Sequence, residues 1–477
     1  MYLGLDLGTS GLKGLLIDDA QQAVAEATAP LTVSRPQDGW SEQAPADWIT
    51  AAESVLDALS AKADLSAVKG IGLSGQMHGA TCLDASDAVL RPCILWNDTR
   101  AHAEAAAMDA DPKFRAISGN IVFPGFTAPK LAWMRAHEPD IFDRVARVLL
   151  PKDYLRLWLT GEAVSEMSDA AGTSWLDTGA RDWSDDLLSA TGLSRDAMPR
   201  LVEGAAPSGT LRADLARRWG MGEVVVAGGA GDNAASAVGI GVTRPGEAFV
   251  SLGTSGVLFA ATEGYHPDAG TAVHTFCHAM PGAWHQMGVI LAATDALNWA
   301  ARLMGTDAAT ATEALGDARA PGRTLFLPYL GGERTPHNSA RLRGAFLHLD
   351  HATDRDAAVR AVIEGVSFAL RDCRDALAAT GTELASVVAV GGGARSDTWL
   401  ATLASVLNVP IGRPVSGDFG AAFGAARLGA MAATGATDLA AAPRIARTFD
   451  PDPDLVPAFD DAHGRYRAAA KALLELS

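Results

Sequence analysis

Residues 3–17 read LGLDLGTSGLKGLLI. An acid, Asp6, sits inside an apolar run; Gly8, Thr9, Ser10 and Gly11 follow as a small-residue turn, and a second apolar run carries Lys13. Short apolar segments around such a turn predict a β-hairpin. Gly8 and Gly11 let a ligand approach the backbone closely. Thr9 and Ser10 set hydroxyls beside the turn amides, a combination suited to phosphate oxygens. Asp6 has the chemistry to hold a hard cation through water. A plain hairpin with a charged residue near its end would carry the same letters, because one Gly-rich turn is a weak signal.

A second copy sharpens the reading. Residues 252–256 repeat LGTSG letter for letter, between AFVS and VLFAA, and so supply Gly253, Thr254 and Ser255. Two halves that each open on a phosphate-type hairpin predict a duplicated ATP-binding fold. Ser251 stands where the first copy has Asp6. The first hairpin is therefore expected on the metal side and the second as a phosphate clamp.

With 477 residues, the chain is long enough for two or three domains. Its 48% apolar and 20% charged residues describe a globular protein. A net charge of −17 argues against a nucleic-acid or anionic-membrane surface. Cys82, Cys93, Cys277 and Cys373 form no CxxC pair, which speaks against zinc and redox motifs and fits a reducing cytoplasm. No signal peptide or membrane span is expected.

Strand-then-helix alternation predicts an α/β protein. Helices are expected over residues 46–60, 125–135, 148–161, 288–304, 355–377 and 419–434. Strands are expected over 68–73, 89–96, 224–227 and 387–390. The polar stretch 165–177 reads as a loop, and the TRPGE of residues 243–247 marks the domain boundary, dividing the chain into 1–243 and 244–477.

Asp232 is the foremost chemical candidate. It follows a short strand and the glycines Gly228, Gly229 and Gly231, at the mouth of a strand where α/β folds place ligands. It suits a general base and equally an N-cap for the next helix. GGGARS at residues 391–396 joins a strand to a helix. Its glycines suit close approach of a nucleotide, with tight strand–helix packing as the alternative. Gln76, Met77 and His78 leave one strand, and Trp96, Asn97 and Asp98 end the next. An aromatic, an amide and a histidine around one pocket would suit a polyol, although a lone histidine is more often structural. Glu333 and Arg334 would close that pocket, or form an exposed ion pair.

These blocks together resemble the FGGY family of carbohydrate kinases, within the actin-like ATPase superfamily. The carriers are DLGTSGLK (6–13), SGQMHG (74–79), ILWNDTR (94–100), GFTAPKLAW (125–133), GDNAA (231–235), SLGTSG (251–256), LPYLGGERTPH (327–337) and GGGARS (391–396). The resemblance spans nearly the whole chain. It implies two RNase H-like domains flanking a central cleft that holds ATP and a sugar. Met77-His78, where glycerol kinases carry Arg-Glu, is similar to members acting on D-xylulose. The resemblance implies that Asp232 accepts the proton of the attacking hydroxyl, and that Asp6, with Asp232 sharing, holds Mg²⁺. Met77, His78, Asp232 and Asn233 would contact the sugar. Gly8, Thr9, Ser10, Lys13, Gly253, Thr254 and Ser255 would hold phosphates, and Gly392, Gly393 and Ala394 would line the adenosine end. A homodimer is its common assembly. One departure stands out: the second family signature ends in glycine, whereas Gly344-Ala345-Phe346-Leu347 here runs into His348, and a local loop change without loss of activity is expected.

Overall fold

The structure, a computed structural model, describes residues 1–415 and 420–476. Contacts group the chain into two compact units. The first comprises Met1–Thr243, Phe276–Trp284 and Asp418–Ala442; the second comprises Arg244–Thr275, His285–Gly417 and Pro443–Ser477.

In chain order the elements used below are β1 (Tyr2–Leu7), β2 (Gly11–Ile17), β3 (Ala23–Pro30), α1 (Pro45–Ser60), β4 (Gly70–Gly75), α2 (Thr127–His137) and α3 (Pro151–Thr160). Then come β5 (Pro207–Thr210), β6 (Val225–Ala227), β7 (Ala230–Gly231), α4 (Asp232–Ile240), β8 (Glu247–Leu252), β9 (Gly256–Thr262), β10 (His274–Cys277) and β11 (Trp284–Ile290). The rest are α5 (Thr294–Leu303), α6 (Arg355–Ala379), β12 (Ser386–Val390), α7 (Asp397–Leu407), β13 (Ile411–Pro414), α8 (Ala421–Thr434), β14 (Ile445–Phe449) and α9 (Val456–Leu476).

The first unit is built on a sheet ordered β5-β6-β4-β1-β2-β3, with β7 also pairing β4. The second unit's sheet runs β10-β11-β9-β8-β12-β13-β14. The two share a plan. A hairpin (β1–β2, β8–β9) pairs in parallel with the strand beside it (β4, β12), which pairs in parallel with the next (β6, β13), and an antiparallel strand closes the edge. Buried apolar runs make the central strands, as parallel pairing with both faces covered requires.

The duplicated letters do not fold identically. Leu7 pairs Leu12, leaving Gly8, Thr9, Ser10 and Gly11 in the first turn, closed by the Gly8 amide donating to the Gly11 carbonyl at 3.0 Å. Leu252 pairs Gly256, leaving only Gly253, Thr254 and Ser255 in the second. A one-residue change of register exchanges the faces that side chains occupy, so the second turn is not a copy of the first in what it presents.

In the first unit, α8 lies against β1, β4 and α4 with almost no side chains between. A Cβ on Gly4 would stand 1.9 Å from the Ala422 carbonyl oxygen, one on Gly72 1.8 Å from that of Ala425, and one on Gly424 1.7 Å from that of Ala235. Arg427 reaches out of α8 to donate to the Val238 and Gly239 carbonyls at 2.9 and 3.1 Å, satisfying the end of α4.

Several expected boundaries shift. Residues 284–290 form a strand, and α5 begins only at Thr294; WHQMGVI is a buried sheet strand whose apolar letters also fit a helix. Within 89–96 only Cys93–Ile94 forms a strand, and Val89 makes an isolated bridge to Leu83. The helix expected from residue 419 starts at Ala421, and Phe419 lies outside the described residues.

At the departing signature, Ala345–Leu347 still forms a strand, and His348 follows with φ 59. That left-handed conformation explains why glycine suits the position. Replacing the exposed His348 by glycine is expected to raise unfolding stability by about 0.5–1 kcal/mol without changing activity, read as a higher denaturant midpoint.

Candidate functional site

In the first unit β1, β4 and β7 end side by side. Asp6 pairs Ser74 in register, and Leu7 and Gly231 both pair Gly75. Asp232 is the next residue after β7 and the first of α4. The N-cap is Gly231, so capping is not what Asp232 does. Its Oδ1 instead accepts from its neighbour's backbone amide at 2.7 Å and from the Asn233 side-chain amide at 3.1 Å. Burial, and then the nearby Asp6 carboxylate, push the Asp232 carboxyl up to about 6 against those hydrogen bonds. Burial also raises Asp6, while Ser74 and Lys13 pull the other way. Both acids keep part of their surface open, so they are not core residues. Asp6 and Lys13 also line a small cavity of about 70 Å³ closed by the first turn of α8, whose N-terminus carries partial positive charge.

Next to Asp232 stands Met77, buried, its Cγ and Sδ only 2.9 Å from where a Cβ on Gly231 would lie. His78 follows with φ 69. Its Nδ1 is 2.7 Å from the Gly172 carbonyl and its ring stacks on Phe126 at 4.5 Å. A carbonyl partner places the proton of the neutral ring on Nδ1 and makes Nε2 the acceptor. The His78 carbonyl accepts from Lys130 Nζ at 2.7 Å and Thr127 Oγ1 at 3.1 Å. Thr127 is the first helical residue of α2 and spends its hydroxyl on His78. Burial pushes the Lys130 ammonium down to about 7.

The first turn is tied to the same loops. Thr9 Oγ1 donates to Gln76 Oε1 at 2.9 Å and accepts from Trp96 Nε1 at 3.0 Å. Its single proton therefore points inward, and the exposed Ser10 carries the outward hydroxyl. Lys13 pairs with Glu26 at 3.1 Å. Asp98 accepts from Ser41 N at 2.6 Å and pairs with Arg100 at 2.7 Å, with Arg100 3.6 Å above the Trp40 ring. In WNDTR, then, Trp96 is open, 48% exposed, and Asp98 is structural.

In the second unit, the Gly253 and Thr254 carbonyls accept from the Thr294 and Ala293 amides, both at 2.8 Å, and Thr294 Oγ1 also donates to Gly253 at 2.6 Å. The turn thereby satisfies the free amides at the start of α5. Thr294, Asn298, Gly392, Gly393 and Ser396 line a cavity of about 540 Å³, a size that suits a small-molecule ligand. Ala394 packs into the core instead and is not part of that wall. The wall contributed by α5 and Ala308–Glu313 went unseen in the sequence, where the helix was placed too early. Glu333 and Arg334 are not an exposed pair. Glu333 is buried, accepts from the Leu291 amide at 2.9 Å, and is pushed up to about 8 by burial.

The stretch 165–177, expected as a loop, is almost wholly buried. Val164–Glu166 is a strand and Met167–Ala170 a short helix. Ser165 donates to Asp153 Oδ2 at 2.7 Å, and Glu166 and Asp169 face Lys152 Nζ at 3.3 and 2.8 Å, partners that sequence distance concealed.

Model matches cover both halves of the chain: the N-terminal domain of the FGGY family of carbohydrate kinases over residues 1–239 and its C-terminal domain over residues 248–433. The xylulose kinase of Escherichia coli K12 is 50% identical over 436 residues, covering 91% of this chain and 90% of that protein. The crystal structure of a xyloylose kinase from Brucella ovis superposes with a TM-score of 0.99 at 60% identity, covering 100% of both chains. That of xylulose kinase from Rhodospirillum rubrum gives 0.93 at 30% identity, covering 100% of this chain and 99% of the other. With these matches running through both hairpins, the loops that carry His78 and Trp96, and the GGGARS turn, the chain belongs to the FGGY family of carbohydrate kinases.

Proposed function

We propose that the protein transfers the γ-phosphoryl group of ATP to the 5-hydroxyl of D-xylulose, with Asp232 as general base. The observation that carries this reading is the Asp232 carboxyl, raised toward 6 at the strand ends beside Asp6. A carboxylate in that range accepts a hydroxyl proton at neutral pH. The choice of sugar rests on the xylulose kinases it resembles. Asn233 occupies Oδ1 and leaves the other oxygen of Asp232 for the hydroxyl. Met77 packs beside the base and His78 offers Nε2 to a sugar hydroxyl. Ser10, Lys13 and the turn amides are the phosphate-holding groups of the first unit, and Thr254 and Ser255 are those of the second. Gly392 and Gly393 line the adenosine cavity. Phosphoryl transfer needs mainly in-line positioning and charge neutralisation.

Asp6 and Asp232 supply hard carboxylate oxygens whose mutual repulsion raises Asp232, and a divalent cation would relieve it. They are the residues that would hold Mg²⁺, which neutralises the β- and γ-phosphates when bound. The four cysteines are unpaired and buried, which supports a cytoplasmic setting. Among the described residues, no helix is long and apolar enough to cross a membrane.

A coupled assay across D-xylulose, D-ribulose and glycerol, with mass detection of the phosphorylated product, tests the reading. D-xylulose is expected to give the highest kcat/KM; preference for another acceptor overturns the substrate, and no phosphosugar overturns the transfer. Lys130→Met removes a buried hydrogen bond to His78. It is expected to raise KM for the sugar about tenfold with KM for ATP unchanged; equal effects on both would detach Lys130 from the sugar side.

A further inference from the structure

Four residues, Gly228 to Gly231, connect β6 to Asp232, and none has a side chain larger than a methyl group. Such a turn is costly to order, and of its own side chains only the Ala230 methyl packs, in the core beside the short pairing of β7 with β4. Gly229 adopts φ 76, with the Leu73 carbonyl 2.2 Å from where its Cβ would be. Backbone pairing holds its middle, with the Gly228 and Gly229 amides donating to the Ala206 and Gly204 carbonyls at 2.8 and 2.9 Å, and its ends are held by side chains as well.

Side chains from elsewhere in the first unit do this at both ends. Arg156, fully buried in α3, donates to the Ala227 and Gly228 carbonyls and to Ser208 Oγ. Ser168, also buried, accepts from the Gly231 amide at 3.1 Å and donates to Glu166 Oε1 at 3.0 Å. Behind them lies an ion cluster without solvent exposure. Lys152 Nζ is 2.9 Å from Asp153, 3.3 Å from Glu166 and 2.8 Å from Asp169, and Arg156 is 3.4 Å from Asp153. An unbroken path therefore runs from the Lys152 ammonium through Glu166 and the Ser168 hydroxyl to the amide immediately before Asp232.

Fully buried ion clusters are poor sources of stability, because desolvation offsets the attraction and apolar replacements often do as well. What such a cluster gives is a fixed set of directions. Two cations face three carboxylates here, and burial raises the Asp169 carboxyl, which favours a retained proton and a balanced charge. The assembly is fully buried and, through Arg156 and Ser168, in direct contact with the turn that carries the base.

We propose that Ser168 and Arg156 are positioning residues for phosphoryl transfer, holding the turn before Asp232 so that its carboxylate meets the acceptor hydroxyl in line. The inference rests on the reading of Asp232 as base. A misplacement of about 1 Å in a reacting group costs up to roughly 100-fold in rate. Ser168→Ala is therefore expected to lower kcat between about 10- and 100-fold, with KM for D-xylulose and for ATP within about twofold. Ser168→Thr, which keeps the hydroxyl, should recover most of the loss.

The decisive measurement is a double-mutant cycle on residual turnover with Asp232→Ala. If Ser168 acts through the base, its substitution costs nothing further once the base is gone. Unchanged kcat in Ser168→Ala, a loss carried by KM, or the same fold loss in the Asp232→Ala background each overturns the proposal. Should Ser168→Ala not fold, Arg156→Lys is read by the same cycle. Substantial turnover in Asp232→Ala alone would instead overturn the base assignment, so the two failures are told apart.

Discussion

Asp232→Ala is expected to lower kcat by about 10²–10⁴-fold, the range removed with a general base, while sugar binding persists. Binding by calorimetry beside a coupled turnover assay checks both halves. Near-normal turnover would end the assignment. The Asp232 carboxyl is raised first by burial and second by Asp6, which gives an independent check in the metal-free protein. Carbon-13 NMR of its carboxyl should show titration near pH 6: protonated below, carboxylate above. Asp6→Asn removes the second cause and should move that titration to lower pH. The same substitution should raise the Mg²⁺ concentration needed for half-maximal turnover more than it alters sugar binding.

The second large effect concerns the seam under α8. Gly72→Ala sets a methyl group 1.8 Å from the Ala425 carbonyl oxygen, and Gly424→Ala sets one 1.7 Å from that of Ala235. Both neighbours are backbone, so relief requires moving a whole helix off the sheet. Overpacking of this kind costs about 1–3 kcal/mol and occasionally more, and rigid backbone on both sides puts these substitutions at the upper end. Gly464→Ala is the matched control. Gly464 lies within α9, is exposed and has nothing within 4 Å of its would-be Cβ. There the same change should stabilise by about 0.5–1 kcal/mol through helix propensity. Urea denaturation of the three variants should give opposite signs, and a tolerated Gly72→Ala would mean that the seam yields.

Local patterns carried much of this. The first hairpin, the strand ends at Asp6 and Asp232, and the glycine turn at 391–393 were legible because small residues around a strand end have few other uses. Contacts between distant segments were not. Lys152 and Asp169 look like ordinary surface charges until the fold buries them together. Thr127 has the letter of a cap, yet its partner is a carbonyl forty-nine positions away. The second LGTSG suggested a copy of the first turn; the closing pair that sets turn length depends on what each hairpin packs against, which five letters do not encode.

The seam also has a bearing on how the chain comes to be folded during its synthesis. The face of the first sheet that carries Tyr2, Leu15 and Ile17 is covered by Ala422, Phe423 and Ala426, which are translated long after the strands they cover. At about 5–20 residues per second, β4 precedes the end of α8 by roughly 20–70 seconds. Throughout that interval β1, β2 and β4 exist without the helix that covers them. The N-terminal half is thus committed to waiting for nearly the whole polypeptide, and a ribosome that stalls before residue 421 leaves an apolar sheet face open to chaperones or to aggregation.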